Sequence, residues 1–153
     1  MLSVGTKAPD FTLVSHKREK VSLGDLRAKG KVVLAFYPAA FTGVCEKELC
    51  TFRDSLARLN AASASVVGIS VDAPFSNAAF AAKNNVEFPL LSDYAREATR
   101  AYDIALDDFA GMPGYTASKR AVYVVDRDGT ITYAWVGPNP GVEPNYDEVL
   151  AAL

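Results

Sequence analysis

The chemistry this sequence can offer rests on two cysteines, Cys45 and Cys50, the only ones among its 153 residues. The thiolate is the reactive form of cysteine, so the first question is what holds either sulfur as an anion. Around Cys45 the chain reads Phe36-Tyr37-Pro38-Ala39-Ala40-Phe41-Thr42-Gly43-Val44-Cys45-Glu46-Lys47-Glu48-Leu49-Cys50. An apolar run ends where this stretch begins, and a helical pattern opens at Thr42. Threonine suits an N-cap. That sets Cys45 in the first helical turn, where unpaired N–H groups and the helix dipole both favour negative charge.

At about 100° per residue, Cys45 shares a helical stripe with Leu49, Phe52 and Leu56, so its sulfur is expected to face a sheet and to be partly exposed. Burial disfavours the anion, and a nearby cation has to offset it. The single histidine, His16, is some thirty residues away and reads as a solvent-facing loop residue. Arg120, directly before the apolar run Ala121 to Val125, is therefore assigned as the cation, with Glu48, on the flank beside Cys45, orienting it. Ionisation is only part of the requirement, because a thiol of ordinary pKa is already a few per cent thiolate at neutral pH and full ionisation gains about 30-fold. The remainder has to come from donors aimed at charge developing on a leaving atom. The Thr42 hydroxyl, the N–H groups of Val44 and Cys45, and Arg120 are assigned that task; Pro38 limits water and brings no competing N–H.

Cys50 lies five residues beyond Cys45. On an ideal helix their Cα atoms are about 8 to 9 Å apart and about 140° around the axis, which no disulfide spans. Any bond between them requires the first turns of the helix to unwind.

These residues need a frame. Lys31 to Phe36 is almost wholly apolar, as expected of a strand buried on both faces, and Ser65 to Val71 repeats the pattern. Ala121 to Asp126 and Thr130 to Trp135 flank Arg127-Asp128-Gly129, whose Asp-Gly pair predicts a tight hairpin. A short segment from Asp10 to Val14 precedes them. Helical periodicity covers Thr42 to Asn60, and weaker patterns cover Pro74 to Lys83, Tyr94 to Tyr102 and Tyr146 to Leu153. Helices alternating with buried strands predict an α/β architecture, and a strand-to-helix junction in such a sheet is where ligands bind.

Composition narrows the field. Half of the residues are apolar and 22% are charged, which suits a single domain over 1–153. Sixteen Lys and Arg against eighteen Asp and Glu are interspersed, for a net charge of -2, so no nucleic-acid footprint is indicated. No apolar run approaches a membrane span, and no basic leader precedes an apolar stretch; a cytoplasmic location is the default expectation. Two cysteines and one histidine make a poor zinc site, and a reducing compartment disfavours a permanent disulfide.

Pro38, Thr42 and Cys45 reproduce a Pro-x-x-x-Thr-x-x-Cys signature, and Arg120 precedes a Val-Val-Asp strand. With Ala8-Pro9-Asp10-Phe11, Ser70-Val71-Asp72, Phe88-Pro89-Leu90-Leu91-Ser92-Asp93 and Asp126-Arg127-Asp128-Gly129, these segments resemble the peroxiredoxins over most of the chain. The similarity is to the bacterioferritin-comigratory (Q-type) group and the related one-cysteine E-type group. The chain departs from many relatives at Phe41-Thr42-Gly43, where they carry a polar residue before the threonine and proline after it. The resemblance implies a thioredoxin-like fold, with a central mixed β-sheet and helices on both faces, and no metal or organic cofactor. It implies hydroperoxide reduction through a sulfenic acid at Cys45 as the peroxidatic cysteine, regenerated by thioredoxin or a similar thiol reductant. Cys50 sits where many Q-type members carry the resolving cysteine; a one-cysteine cycle with Cys50 a bystander is the alternative. Relatives dimerise near the active site, and no residue pattern decides between monomer and homodimer here. A thioredoxin-type thiol–disulfide oxidoreductase would share the fold but needs Cys-x-x-Cys, whereas four residues separate these cysteines. A non-catalytic chaperone or scaffold would leave Cys45 dispensable.

Overall fold

The computed structural model describes all 153 residues. The chain runs through β1 (Thr12–Ser15), β2 (Lys20–Ser22), α1 (Leu23–Ala28), β3 (Lys31–Phe36), α2 (Gly43–Asp54), α3 (Leu56–Ala61), β4 (Ala64–Ser70), α4 (Pro74–Asn84), β5 (Leu90–Ser92), α5 (Glu97–Ala101), β6 (Ala105–Leu106), β7 (Ala117–Ser118), β8 (Ala121–Val125), β9 (Ile131–Val136) and α6 (Tyr146–Ala151). Seven strands form one mixed sheet in the order β2-β1-β5-β4-β3-β8-β9. β3 lies near its middle, parallel to β4 and antiparallel to β8.

The continuous apolar character of β3 follows from burial on both sides. Val32, Leu34 and Phe36 enter one core with Tyr102, Ile104 and Tyr123, whereas Val33 and Ala35 enter the other with Cys45, Leu49, Phe52 and Phe80. Helices α2, α3, α4 and α6 contribute to the second core, and α1 and α5 to the first. The expected hairpin closes at Gly129, which takes φ +88 and donates its N–H to Asp126 C=O at 2.9 Å.

Three expected helices are shortened or broken. The pattern from Thr42 to Asn60 splits at Ser55, whose hydroxyl donates to Thr51 C=O at 2.8 Å while its N–H is shared between Thr51 and Phe52 carbonyls. Such back-bonding competes with the helical ladder. The segment from Tyr94 to Tyr102 becomes helical only from Glu97, because Arg96 takes φ +60 and the Asp93 carboxylate captures the N–H groups of Ala98 and Thr99. The last helix ends at Ala151, two residues short of Leu153. His16 is half-buried just after β1: its Nδ1 accepts the Leu90 N–H at 3.0 Å, and burial, reinforced by Lys17, lowers its pKa. It lies in the turn between β1 and β2, a loop position as expected, but is partly covered and not fully solvent-facing.

Gly68 in β4 shows how closely α2 is seated. A Cβ there would come within 2.7 Å of Leu90 Cδ2, 3.1 Å of Tyr37 Cε1 and 3.5 Å of Leu49 Cδ2. Gly68→Ala is expected to cost about 1–3 kcal/mol of stability, the range for overpacking a filled core, as a lowered urea midpoint at unchanged slope.

Candidate active site

The turn from β3 to α2 is anchored from below by a buried polar network. Tyr37 N–H extends the pairing with β4 by donating to Ile69 C=O at 2.9 Å. Its phenol donates to Asn77 Oδ1 at 2.6 Å, and Asn77 Nδ2 donates in turn to Ser70 Oγ at 3.2 Å and Ser92 Oγ at 3.3 Å. Ser118 Oγ donates to Tyr37 C=O at 3.1 Å. The Asp72 carboxylate accepts the Ala40 N–H and the Ser70 hydroxyl, each at 2.8 Å. Pro38 is buried and Thr42 exposed within this held turn. Phe41, just before the helix, takes φ +64, an unusual conformation for a bulky side chain; its half-exposed ring lies 5.2 Å from Phe80.

Thr42 occupies the N-cap with extended backbone, but its hydroxyl does not cap. It donates instead to Ala39 C=O at 2.8 Å, which leaves its oxygen free to accept a hydrogen bond. The first helical hydrogen bond runs from Glu46 N–H to Thr42 C=O at 3.0 Å. The N–H groups of Val44 and Cys45 precede it and donate to no protein acceptor.

Cys45 is fully buried, where partial exposure was expected, because its side chain joins Leu49 and Phe52 in the core. Arg120 reaches it from the strand beside β3. The register pairs Phe36 with Ala121, so the residue before Ala121 emerges at the same end of the sheet as the turn. Arg120 Nη2 donates to Cys45 Sγ at 3.0 Å and to Pro140 C=O at 2.9 Å; Nε donates to Pro140 C=O at 3.1 Å; Nη1 donates to Glu48 Oε2 at 2.7 Å. The guanidinium is thus fixed by a carboxylate and a backbone carbonyl with its Nη2 edge toward the sulfur. In front of it, a hollow of about 220 Å³ is lined by Pro38, Thr42, Val44, Phe109, Arg120 and Pro140. A larger hollow of about 380 Å³ lies beside it against Lys119, Val136 and the turn from 137 to 140, and shares only Arg120 and Pro140 with it.

Glu48 is fully buried, and its second oxygen, Oε1, has no partner. Burial pushes its carboxyl up to about 7, against the pull of Arg120, and Glu143 pushes it further up. A carboxyl that holds its proton more tightly in the folded chain stabilises the fold most below pH 4.5 and progressively less as pH rises to about 7. By linkage the loss approaches about 3 kcal/mol. Glu48→Gln is expected to flatten this slope: urea unfolding between pH 5 and 8 should show stability falling in the natural chain relative to the variant.

Cys50 is half-buried on α2 with its Sγ 3.6 Å from Asn84 Oδ1, and both thiols are free. The structure therefore brings Pro38, Thr42, Cys45, Glu48 and Arg120 together around one sulfur and leaves Cys50 apart. Sequence reasoning missed Pro140, whose contribution is a backbone carbonyl, and Phe109, which arrives on a distant turn. Ser70 and Asp72, whose residue types alone suggest no role, hold the turn through the Ala40 N–H and each other. No group of three or more His, Cys, Asp or Glu side chains is arranged to hold a metal.

The family model described as AhpC/TSA matches residues 4–134. A putative peroxiredoxin, bcp, of Coxiella burnetii is 37% identical over 152 residues, covering 99% of each chain. The chloroplastic peroxiredoxin Q of Gentiana triflora is 40% identical over 130 residues, covering 85% of this chain and 57% of that protein. Among solved structures, peroxidoxin BcpB from Mycobacterium tuberculosis superposes with a TM-score of 0.87 at 31% identity, over 99% of this chain and 96% of that one.

Proposed function

The chain belongs to the AhpC/TSA family as a peroxiredoxin of the bcp and peroxiredoxin Q kind, a thiol peroxidase, and we propose that Cys45 is its peroxidatic cysteine. The observation that carries this reading is the 3.0 Å contact between a fully buried Cys45 Sγ and Arg120. A guanidinium held by Glu48 and Pro140 is a preorganised positive charge in a dry site, where it acts more strongly than in water.

The step is an in-line displacement. The Cys45 thiolate attacks one peroxide oxygen, the S–O bond forms as the O–O bond breaks, and the leaving oxygen takes a proton to become water or an alcohol. Arg120 and the free N–H groups of Val44 and Cys45 stabilise the charge that develops there. The Thr42 hydroxyl, with its proton given to Ala39, accepts a hydrogen bond from the peroxide O–H. This reverses the donor role first assigned to it. Pro38, Val44, Phe109 and Pro140 give the hollow an apolar wall that accommodates the organic part of an alkyl hydroperoxide. No resident metal or organic cofactor enters this scheme.

Cys50 is the resolving cysteine in this reading. Its thiol displaces water from the Cys45 sulfenic acid, and thioredoxin or a similar small thiol reductant then opens the disulfide. Both cysteines lie on α2, so the first turns of that helix open in each cycle. The test is hydrogen exchange on the reduced protein and after one equivalent of peroxide. Protection across residues 43–50 is expected to fall while β3 and β8 keep theirs. A disulfide formed with unchanged protection would refute the opening, and a stable sulfenic acid without a disulfide would establish the one-cysteine cycle. We place the enzyme in the cytoplasm, as a single domain over the whole chain; no helix is long and apolar enough to cross a membrane.

A further inference from the structure

Two acids face one base at this site. Cys45 Sγ and Glu48 Oε2 sit on the two terminal nitrogens of the Arg120 guanidinium at 3.0 and 2.7 Å. Both side chains are fully buried, and Glu48 Oε1 is left without any donor. One positive charge neutralises one of them, and like charges held this closely in a dry site do not both ionise freely. Groups so coupled titrate as a pair.

The remaining neighbours deepen the asymmetry. Glu143, on the loop before α6, pushes the Glu48 carboxyl further up, and the Tyr146 hydroxyl holds Glu143 in place by donating to its Oε1 at 2.7 Å. The Tyr37 phenol, at the end of β3, is committed to Asn77. Lys83 on α4 pairs with Glu46, on the outside of α2, not with Glu48.

On the reading of Cys45 as the peroxidatic cysteine, we propose that Cys45 and Glu48 share a single proton across Arg120, so that oxidation of Cys45 passes the negative charge to Glu48. The reduced site holds Cys45 thiolate and protonated Glu48. Sulfur gives two electrons to the peroxide, becomes a neutral sulfenic acid and releases Arg120 from its first anion. Glu48 then ionises against the guanidinium. The balance is Cys45–S⁻ plus Glu48–COOH plus ROOH giving Cys45–SOH plus Glu48–COO⁻ plus ROH. The leaving oxygen takes one proton from water and Glu48 returns one, so the turnover draws no net proton from solvent. Reduction of the oxidised cysteine restores the thiol, whose proton passes back to Glu48. Burial, the largest cause, already pushes the Glu48 carboxyl up to about 7 against the pull of Arg120, so it can carry the proton near neutral pH. Glu48 acts through Arg120 and is a positioning residue that stores the site's proton.

The test counts protons. Reduced Cys50→Ser protein, which stops at the sulfenic acid, is mixed with one equivalent of hydrogen peroxide in weakly buffered dye solution near pH 6. Proton uptake per oxidised Cys45 is expected to be close to zero, and close to one in Cys50→Ser/Glu48→Gln. Redox difference infrared spectra should show a protonated carboxyl band lost on oxidation in the first protein and absent from the second. Glu143→Gln in the Cys50→Ser background should move the transition in proton uptake to lower pH, which keeps the test in hand if the Glu48 variant folds poorly. Equal uptake in the two proteins, or no carboxyl band lost on oxidation, overturns the shared proton while leaving Cys45 oxidation intact. Failure to oxidise Cys45 at all would instead sink the reading beneath it.

Discussion

Arg120→Met is expected to lower kcat/KM for hydrogen peroxide by about 10²- to 10³-fold, the range seen when one preorganised donor to developing charge is removed. The residue makes four hydrogen bonds, to Cys45, to Glu48 and twice to Pro140. Methionine keeps much of the buried volume and removes every donor. Arg120→Lys should fail as well, by at least tenfold, because an ammonium keeps the charge without the planar fork that spans a sulfur, a carboxylate and a carbonyl. In Arg120→Met the Glu48 carboxyl, deprived of its cationic partner, should retain its proton to higher pH. Stopped-flow peroxide consumption at saturating reductant measures the first effect, and retained urea midpoints at pH 6 would separate lost chemistry from lost folding.

Cys45→Ser should reduce peroxide consumption to the uncatalysed background, since a serine hydroxyl is neither ionised nor oxidised under the same conditions. Cys50→Ser should behave differently. Its first turnover is expected to match the natural chain in rate, because Cys50 points to Asn84 and away from the hollow in front of Arg120. Sustained turnover with a dithiol reductant should then stop, and excess peroxide should carry the unprotected sulfenic acid on to sulfinic acid. Equal losses in the two variants would contradict the division of labour between the cysteines.

Much of the frame could be read from residue types. Lys31 to Phe36 is apolar at every position but the first because both faces of β3 are covered, and the Asp-Gly pair before Thr130 marks a hairpin because glycine alone takes its positive φ without strain. That Arg120 and Cys45 meet follows from β8 running antiparallel beside β3, a neighbour relation that a strand pattern permits but does not dictate. What escaped depended on groups with no signature. A serine that bonds back to Thr51 splits a helix whose apolar stripe continues unbroken. The positive φ of Arg96 delays α5. Pro140 acts through its backbone, and Asp72 holds the Ala40 N–H from a loop 32 residues on. Burial is greater than expected at both acidic partners of Arg120: Cys45 was expected to be partly exposed and Glu48 to lie on a flank, yet both are fully buried.

The peroxidatic assignment of Cys45 meets its most direct test in the mass of the protein after one equivalent of hydrogen peroxide is added to the reduced chain. A loss of about two mass units, localised by peptide mapping to a Cys45–Cys50 link, is predicted, with a gain of about sixteen units at Cys45 in Cys50→Ser. An unmodified Cys45 while peroxide persists, or oxidation confined to Cys50, would contradict the account.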